Sequence, residues 1–241
     1  MLPFTHQQFL AVFSDYNESI WPSQVLAYLL GSFAALLLFR QTERSDRVIT
    51  AVLSTMWMWT GVAYHGIWFS AINKAAYVFA ALFIVEGCCL FYAGVYGNQL
   101  RFGLRQAPAT WVGGVFVGYS AILYPLIGKL NGHHYPAVPI FGVTPCPVAI
   151  FTFGMLLLTT GPVPRWLLVI PVIWSLIGGS AAILLHVPQD WLLLLSGFIA
   201  VPLIVVRDNR HPKLGVRACP RWGSWLCEDA APARSRHCSI Y

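Results

Sequence analysis

The stretch AAYVFAALFIVEGCCLFYAGVYG at residues 75–97 decides the fold, because it continues for 23 residues with one charged side chain, Glu86. A helix needs about 20 mostly apolar residues to cross the hydrocarbon core of a bilayer. Lipid offers no hydrogen-bond partners to a free backbone, so a spanning segment of this kind has to be helical. Residues 75–97 therefore predict a transmembrane helix.

Six more apolar stretches meet the same criterion, some of them only with tilt. They are residues 21–39, 48–72, 110–128, 143–161, 166–185 and 191–206. Proline and glycine separate them, as in GPVP at residues 161–164, and such residues end helices. The sequence thus predicts an all-α, polytopic bundle of seven transmembrane helices over residues 1–206, followed by a basic, disordered tail at 207–241.

The composition agrees with a membrane protein and excludes several soluble classes. Of the 241 residues, 57% are hydrophobic and 10% are charged, and the mean hydropathy is +0.64. A cytosolic enzyme, a disulfide-stapled secreted module and a disordered chain each need a more polar sequence. No motif in the chain specifies a reaction, so whether the protein is an enzyme stays open.

Two local patterns predict how the helices are arranged. Phe9, Val12, Phe13 and Ile20 recur at roughly helical intervals before the first span, which indicates a short interfacial helix at the N-terminus. Gly114 and Gly118 form a GxxxG pattern in residues 110–128, and small residues at this spacing let membrane helices approach closely. We expect this pair to pack inside the bundle.

The loop charges predict the orientation. Thirteen of the fifteen Lys and Arg residues follow the first, third, fifth and seventh stretches, and the exceptions are Lys74 and Lys129. Because basic loops are retained in the cytoplasm, the N-terminus should lie outside and the C-terminus inside.

The basic residues of the tail also suggest partners. We expect the lipid bilayer itself and anionic lipid headgroups at the cytoplasmic face as the partners of Arg207, Arg210, Lys213, Arg217 and Arg221. Association with other membrane subunits stays open. Nucleic-acid binding is excluded because no recognisable binding module is present.

Glu86 is the one acid deep inside a predicted span. An unpaired carboxylate at that depth is costly, so the side chain should be protonated, paired or hydrated. A functional interpretation makes it a proton or cation site. The structural alternative is a neutral carboxyl group that forms a hydrogen bond to a neighbouring helix.

The predicted topology brings several polar side chains to the outer side. They are Tyr64, His65, Cys146, His186 and Asp190, and we expect them to line one pocket. Imidazole and thiolate groups suit zinc or copper, and paired histidines suit haem, which makes His65, Cys146 and His186 metal candidates. Their spacing matches no local metal motif such as HxxxH or CxxC. The alternative is a set of separate residues hydrogen-bonded to their loops, and the cofactor stays unknown.

Several strings resemble an uncharacterised family of bacterial integral membrane proteins, known as a domain of unknown function. They are YNESIWP (16–22), TGVAYH (60–65), GVTPCP (142–147), IFTFG (150–154), WSLIGGSAA (174–182) and VPQD (187–190). The resemblance implies a single helical bundle in a bacterial inner membrane. It supplies no catalytic residues.

Three function classes fit these features. The best supported is a small-solute or proton-linked transporter that uses an outer polar pocket and Glu86. The second is an accessory subunit of a larger membrane complex, which needs none of these side chains. The third is a membrane enzyme or redox protein with a metal, haem or quinone at the outer site.

Overall fold

The computed structural model describes residues 3–105, 107–132, 134–185 and 187–210, and regular structure in these ranges is helical. The all-α prediction is confirmed, and each of the seven predicted stretches contains a helix. The α-helices are α1 (His6–Ser19), α2 (Trp21–Leu37), α3 (Glu43–Trp59), α4 (Ala76–Leu90), α5 (Pro108–Gly118), α6 (Tyr124–Leu130), α7 (Pro145–Leu157), α8 (Val169–Gly179), α9 (Ala181–Leu184) and α10 (Trp191–Arg210).

The first two helices form a sharp bend. Thr5 caps α1 and Gln8 completes the capping box, while Pro22 lies in the first turn of α2. The two helix axes meet at 83°. The predicted N-terminal helix is therefore present, but its apolar residues Val12 and Phe13 are buried against the rest of the protein.

Three α-helices continue into π-helical turns. The α3 helix is extended by Thr60–Trp68, α4 by Phe91–Tyr96, and α5 is joined to α6 through Tyr119–Leu123. Such turns are rare and are often found at functional sites, because the extra residue per turn changes the direction of the side chains.

The short helix α7 occupies the centre of the bundle. Its 13 residues, apart from Cys146, are buried, and it packs against α3, α5, α8 and α10. The Trp57 indole of α3 donates a hydrogen bond of 2.8 Å to the Thr152 hydroxyl of α7. A fully apolar helix of this kind is buried on every side.

Glycine pairs bring some helices into backbone contact, but not the predicted pair. A Cβ atom on Gly154 of α7 would lie 3.0 Å from the Gly113 carbonyl oxygen of α5. Around Gly114 and Gly118, no atom of the described residues would lie within 4 Å of such a Cβ. The prediction that Gly114 and Gly118 pack inside the bundle is wrong, because the neighbouring residue Gly113 faces α7.

One end of the bundle, here called the α1 end, is held together around α1. Asn17 donates from its amide nitrogen to the carbonyl oxygens of Pro136 and Val138, each at 2.6 Å. The Tyr16 hydroxyl donates to the Val143 carbonyl oxygen at 2.6 Å. These bonds fix α1 on the loop that precedes α7.

The opposite end, here called the arginine end, is cross-linked by the charged side chains of Arg101, Asp208 and Arg207. Arg101 forms ion pairs with Glu43 at 3.0 Å and with Asp46 at 3.3 Å. Asp208 accepts a hydrogen bond of 2.9 Å from the Val163 amide, and Arg207 contacts the end of α7. The two ends therefore differ in chemistry, one built on backbone carbonyls and the other on ionic groups.

Four helical segments in the described part of the chain are long and apolar enough to cross a membrane. They are Ala76–Tyr96, Pro108–Leu130, Arg165–Leu184 and Pro188–Asn209. A fifth results if the bent pair of α1 and α2 is one span. The structure thus has the helices of a membrane protein.

Candidate functional site

A cavity of about 160 Å³ opens at the α1 end of the bundle. Most of its walls are apolar, and aromatic rings form much of them: Phe9, Phe13, Tyr64, Phe69, Phe79 and Trp174. A concave, mainly apolar site with a few converging polar groups is the usual form of a small-molecule site. This cavity is therefore the candidate site.

Four of the five predicted pocket residues line this cavity. Tyr64 and His65 come from the π-helical turns that extend α3, Cys146 from the first turn of α7, and Asp190 from the 3₁₀ turn Pro188–Asp190. These four residues are far apart in the sequence but lie at one location in the structure. The fifth, His186, lies outside the described residues.

His65 is fully buried in the wall of the cavity. Five aromatic rings surround its imidazole, and the ring centroids lie 4.8 Å away for Phe83, 5.0 Å for Trp174, 5.1 Å for Tyr64, 5.7 Å for Phe79 and 6.1 Å for Phe69. Within the described part of the chain, neither ring nitrogen has a hydrogen-bond partner. Because an unpaired buried polar group costs free energy, this arrangement points to a ligand.

Trp174 presents a second polar group to the same cavity. Its indole N–H lies near the Cys146 sulfur, but no described nitrogen or oxygen accepts its hydrogen. Gly178 makes the ring position accessible, since a Cβ atom there would lie 2.8 Å from the indole nitrogen. The missing side chain of Gly178 therefore allows the indole to lie along α8.

Asp190 belongs to a cluster with Tyr124 and Cys146. The Tyr124 hydroxyl donates to its Oδ1 atom at 2.5 Å, and the Cys146 thiol lies beside the same carboxyl group. Tyr124 begins α6, and prolines on both sides of Cys146 fix the first turn of α7. The cluster thus joins three elements at the floor of the cavity.

The structure gives limited support to a metal at this site. No three His, Cys, Asp or Glu side chains within residues 3–105, 107–132, 134–185 and 187–210 are arranged to hold a metal ion. His65 and Cys146 line one cavity, while the third metal candidate, His186, is not among the described residues. The cavity is mainly a site for an apolar group.

Glu86 lies on α4, one helical turn beyond Phe83, and does not line the cavity. Its side chain is fully buried, and neither carboxyl oxygen has a hydrogen-bond partner among the residues described. The neighbouring Gly87 carbonyl oxygen accepts from the Ser54 hydroxyl at 2.7 Å, so α3 and α4 are in close contact here. The structural alternative, a hydrogen bond from Glu86 to another helix, has no described partner.

The predicted lipid-facing residues are only partly described. Arg207 lies within α10 and turns inward, where its Nη1 atom donates to the carbonyl oxygens of Leu156, Leu157 and Thr159 at 3.1–3.2 Å. Its charge thus stabilises the C-terminal end of α7. Lys213, Arg217 and Arg221 lie outside the described residues, as does the side chain of Arg210.

Among the residues with polar atoms at the site, sequence reasoning missed Trp174 and Tyr124. Both lie in apolar helices, where an aromatic side chain suits lipid and protein surroundings equally. The one local signal for Trp174 is the glycine four residues later, which leaves room for a ring on the same face of the helix.

Comparison with known families gives one assignment. A family model described as a family of unknown function (DUF6064) matches residues 6–214, which contain every helix listed above. Neither the curated proteins nor the solved structures give a match. The match covers most of the chain, and on this ground the protein belongs to the family of unknown function DUF6064.

Proposed function

We propose that this protein crosses a bacterial inner membrane seven times, with its N-terminus outside and its C-terminus in the cytoplasm. Support comes from the helix in each predicted stretch and from the basic residues that follow the odd-numbered stretches. In this orientation the α1 end and its cavity face outward, and the arginine end faces the cytoplasm.

Three helices are too short or too polar to be recognised as membrane spans from length and hydropathy. Each of them has a physical reason to cross the membrane nevertheless. The α7 helix is short but buried, so the surrounding helices and not lipid have to match the bilayer thickness. The α3 segment contains polar side chains such as Ser54 and His65, and these face the protein interior. The α2 helix has 17 residues, which is at the short end of the range of transmembrane helices.

We infer that the protein is a proton-linked carrier of a small solute. The cavity would hold the solute, and Glu86 would hold the proton. The observation that carries this proposal is the pair of buried side chains His65 and Glu86, both without described partners, on two helices packed against each other. Keeping two such groups for packing alone is costly in a membrane.

Phe83 lies beside His65 and one helical turn before Glu86. The centroid of Phe83 lies 4.8 Å from that of His65, and Glu86 follows Phe83 by one turn on α4. A solute bound beside His65 would thus lie on the outer side of Phe83, and the proton site on the inner side. Rotation of this ring would connect them.

The proposal is tested with purified protein in lipid vesicles that contain a trapped pH indicator. A panel of small solutes is added outside, and it includes uncharged ring compounds such as phenol and resorcinol and uncharged aliphatic alcohols such as cyclohexanol. At least one of them should move protons, and Glu86→Gln should abolish this movement because the amide carries no titratable proton. Glu18→Gln changes an exposed acid and is the matched control. Proton movement by no solute, or full movement in Glu86→Gln, would contradict the proposal.

A stability measurement separates the proton site from structural glue. If the Glu86 carboxyl group held two helices together, Glu86→Leu would lower the stability of the protein by about 1 kcal/mol. Because Glu86 has no described partner, Glu86→Leu should unfold no earlier than the wild type. An accessory subunit, by contrast, would purify with stoichiometric partners and move no protons.

The lipid partner enters the same proposal. With the C-terminus in the cytoplasm, the basic residues after α10 would face anionic headgroups of the inner leaflet. Carrier activity is measured in vesicles with and without anionic lipid. We expect the activity to be higher when anionic lipid is present.

A further inference from the structure

We propose that the group held in the cavity is a single, uncharged aromatic ring with a hydroxyl group, and that the hydroxyl binds between His65 and Trp174. This inference rests on the proposed function, because it names the chemical class of the solute. It uses only the shape of the cavity and the polar atoms in its wall.

The volume sets the size of the ligand. An apolar protein cavity of about 150 Å³ accommodates one benzene molecule. The cavity of about 160 Å³ at the α1 end therefore holds one ring with a small substituent.

The walls favour an aromatic ligand. Phe13 stacks on Tyr64 with centroids 5.3 Å apart, and Tyr64 stacks on Phe69 at 5.8 Å. The Phe79 and Trp174 rings meet edge to face at 5.5 Å on the other side of His65. Aromatic pairs prefer these stacked and edge-to-face arrangements, so an added ring finds favourable partners on several sides.

The polar atoms favour a hydroxyl group. A neutral imidazole has one nitrogen that donates a hydrogen bond and one that accepts, and an indole N–H only donates. A hydroxyl group donates once and accepts, so it satisfies an acceptor nitrogen of His65 and the Trp174 N–H together. A methyl group in its place would leave both buried groups unpaired.

The charges favour a neutral ligand. Asp190 is the one acidic side chain among the described lining residues, and its carboxyl group already accepts a hydrogen bond from Tyr124. No lysine or arginine lines the described cavity wall. A cationic or anionic ring would thus be buried without a counter-charge, at a high cost in free energy.

The ring could belong to a water-soluble phenol or to a membrane quinol with an alkyl chain. We commit to the soluble phenol. Substituted quinol rings exceed the size of one benzene, whereas the cavity exceeds that size only slightly.

The test uses fluorine NMR of the full-length protein in detergent, with probes of matched shape. Para-fluorophenol should bind about tenfold more tightly than fluorobenzene, after correction for uptake by empty micelles, since about one net hydrogen bond is gained. Para-fluoroanisole, which accepts but does not donate, should fall between them. Phenol should displace para-fluorophenol at concentrations at which decylubiquinol does not.

Two variants locate the effect. His65→Phe and Trp174→Phe should each lower para-fluorophenol affinity toward that of fluorobenzene, and retained fluorobenzene binding shows that the variants fold. The controls His134→Phe and Trp111→Phe change exposed side chains of the same types and should have no effect.

The outcomes separate this inference from the proposed function. Equal affinity for the two main probes, or equal loss in the control variants, would overturn the phenol inference and leave the carrier proposal intact. Stronger displacement by decylubiquinol than by phenol would overturn the choice of a soluble ligand. If solute-driven proton movement is observed in vesicles while neither probe binds to the protein, the cavity is not the site that binds the ring.

Discussion

The rings of His65 and Trp174 meet edge to face with their centroids 5.0 Å apart and an angle of 72° between their planes. One ring comes from the π-helical turns after α3 and the other from α8, 109 positions later in the sequence. Both present nitrogen atoms that no described nitrogen or oxygen satisfies. The account of function depends on this pair, because both residues line one cavity.

Substitution of Gly178 should disturb this pair directly. In Gly178→Ala, the new Cβ atom would lie 2.8 Å from two atoms of the Trp174 indole, and overpacking of this kind costs about 1–3 kcal/mol. We expect the indole to move into the cavity and para-fluorophenol affinity to fall. Gly114→Ala adds the same methyl group in open space and is the matched control. Unchanged tryptophan fluorescence and unchanged binding in Gly178→Ala would contradict the described ring position.

Gly154 tests the central position of α7. A Cβ atom there would meet the Gly113 carbonyl oxygen and the Val117 backbone nitrogen, each at 3.0 Å, and backbone atoms cannot rotate away. Gly154→Ala should therefore lower the stability of the detergent-solubilised protein by about 1–3 kcal/mol. Gly118→Ala should leave it unchanged, since its Cβ would meet no described atom. The thermal unfolding midpoint measures both, and equal effects would argue against the contact between α5 and α7.

Arg207 should be a stabilising residue of the arginine end. Its guanidinium group donates to three carbonyl oxygens at the end of α7. Arg207→Ala removes this donor from the buried Leu157 and Thr159 carbonyl oxygens, at a cost of about 1–3 kcal/mol. Arg207→Lys should recover part of the loss, because an ammonium group keeps the charge but not the planar shape. Arg40→Ala removes an exposed arginine and should be neutral. A neutral Arg207→Ala would show that the residue does not support α7.

The topology is checked with reporter fusions. Alkaline phosphatase, which is active only outside the cytoplasm, should be inactive when fused after Arg210 and active when fused at Asn131, in the loop before α7. A fluorescent protein that folds in the cytoplasm should show the opposite pattern. Phosphatase activity at both positions would contradict seven spans with a cytoplasmic C-terminus.

The sequence predicts the positions of the helices better than it predicts whether lipid or protein surrounds each helix. Residues 75–97 are apolar except for Glu86 and residues 166–185 carry no charge, and the structure has helical segments at Ala76–Tyr96 and Arg165–Leu184. Residues 143–161 are equally apolar, yet α7 is 13 residues long and buried by protein. Hydropathy cannot separate these cases, because a lipid tail and a leucine side chain are equally apolar surroundings.

The predicted topology identifies polar residues of the site but not its aromatic residues. It places these polar residues on one side, and this groups Tyr64, His65, Cys146 and Asp190. Phe9 and Phe13 were assigned to a helix at the membrane interface, because the same amphipathic pattern fits lipid and protein surfaces. The 83° bend between α1 and α2 turns that face onto the cavity, and no local signal in residues 19–21 specifies the angle.

Nitrogen NMR of protein labelled at its histidine side chains tests the occupancy of the cavity most directly. The His65 signals are identified by their absence from the spectrum of His65→Phe. Addition of para-fluorophenol should shift them, because the ligand hydroxyl supplies the hydrogen bond that the described residues lack, while the exposed His134 should keep its position. Saturation of the protein with para-fluorophenol and unchanged His65 signals would contradict the account.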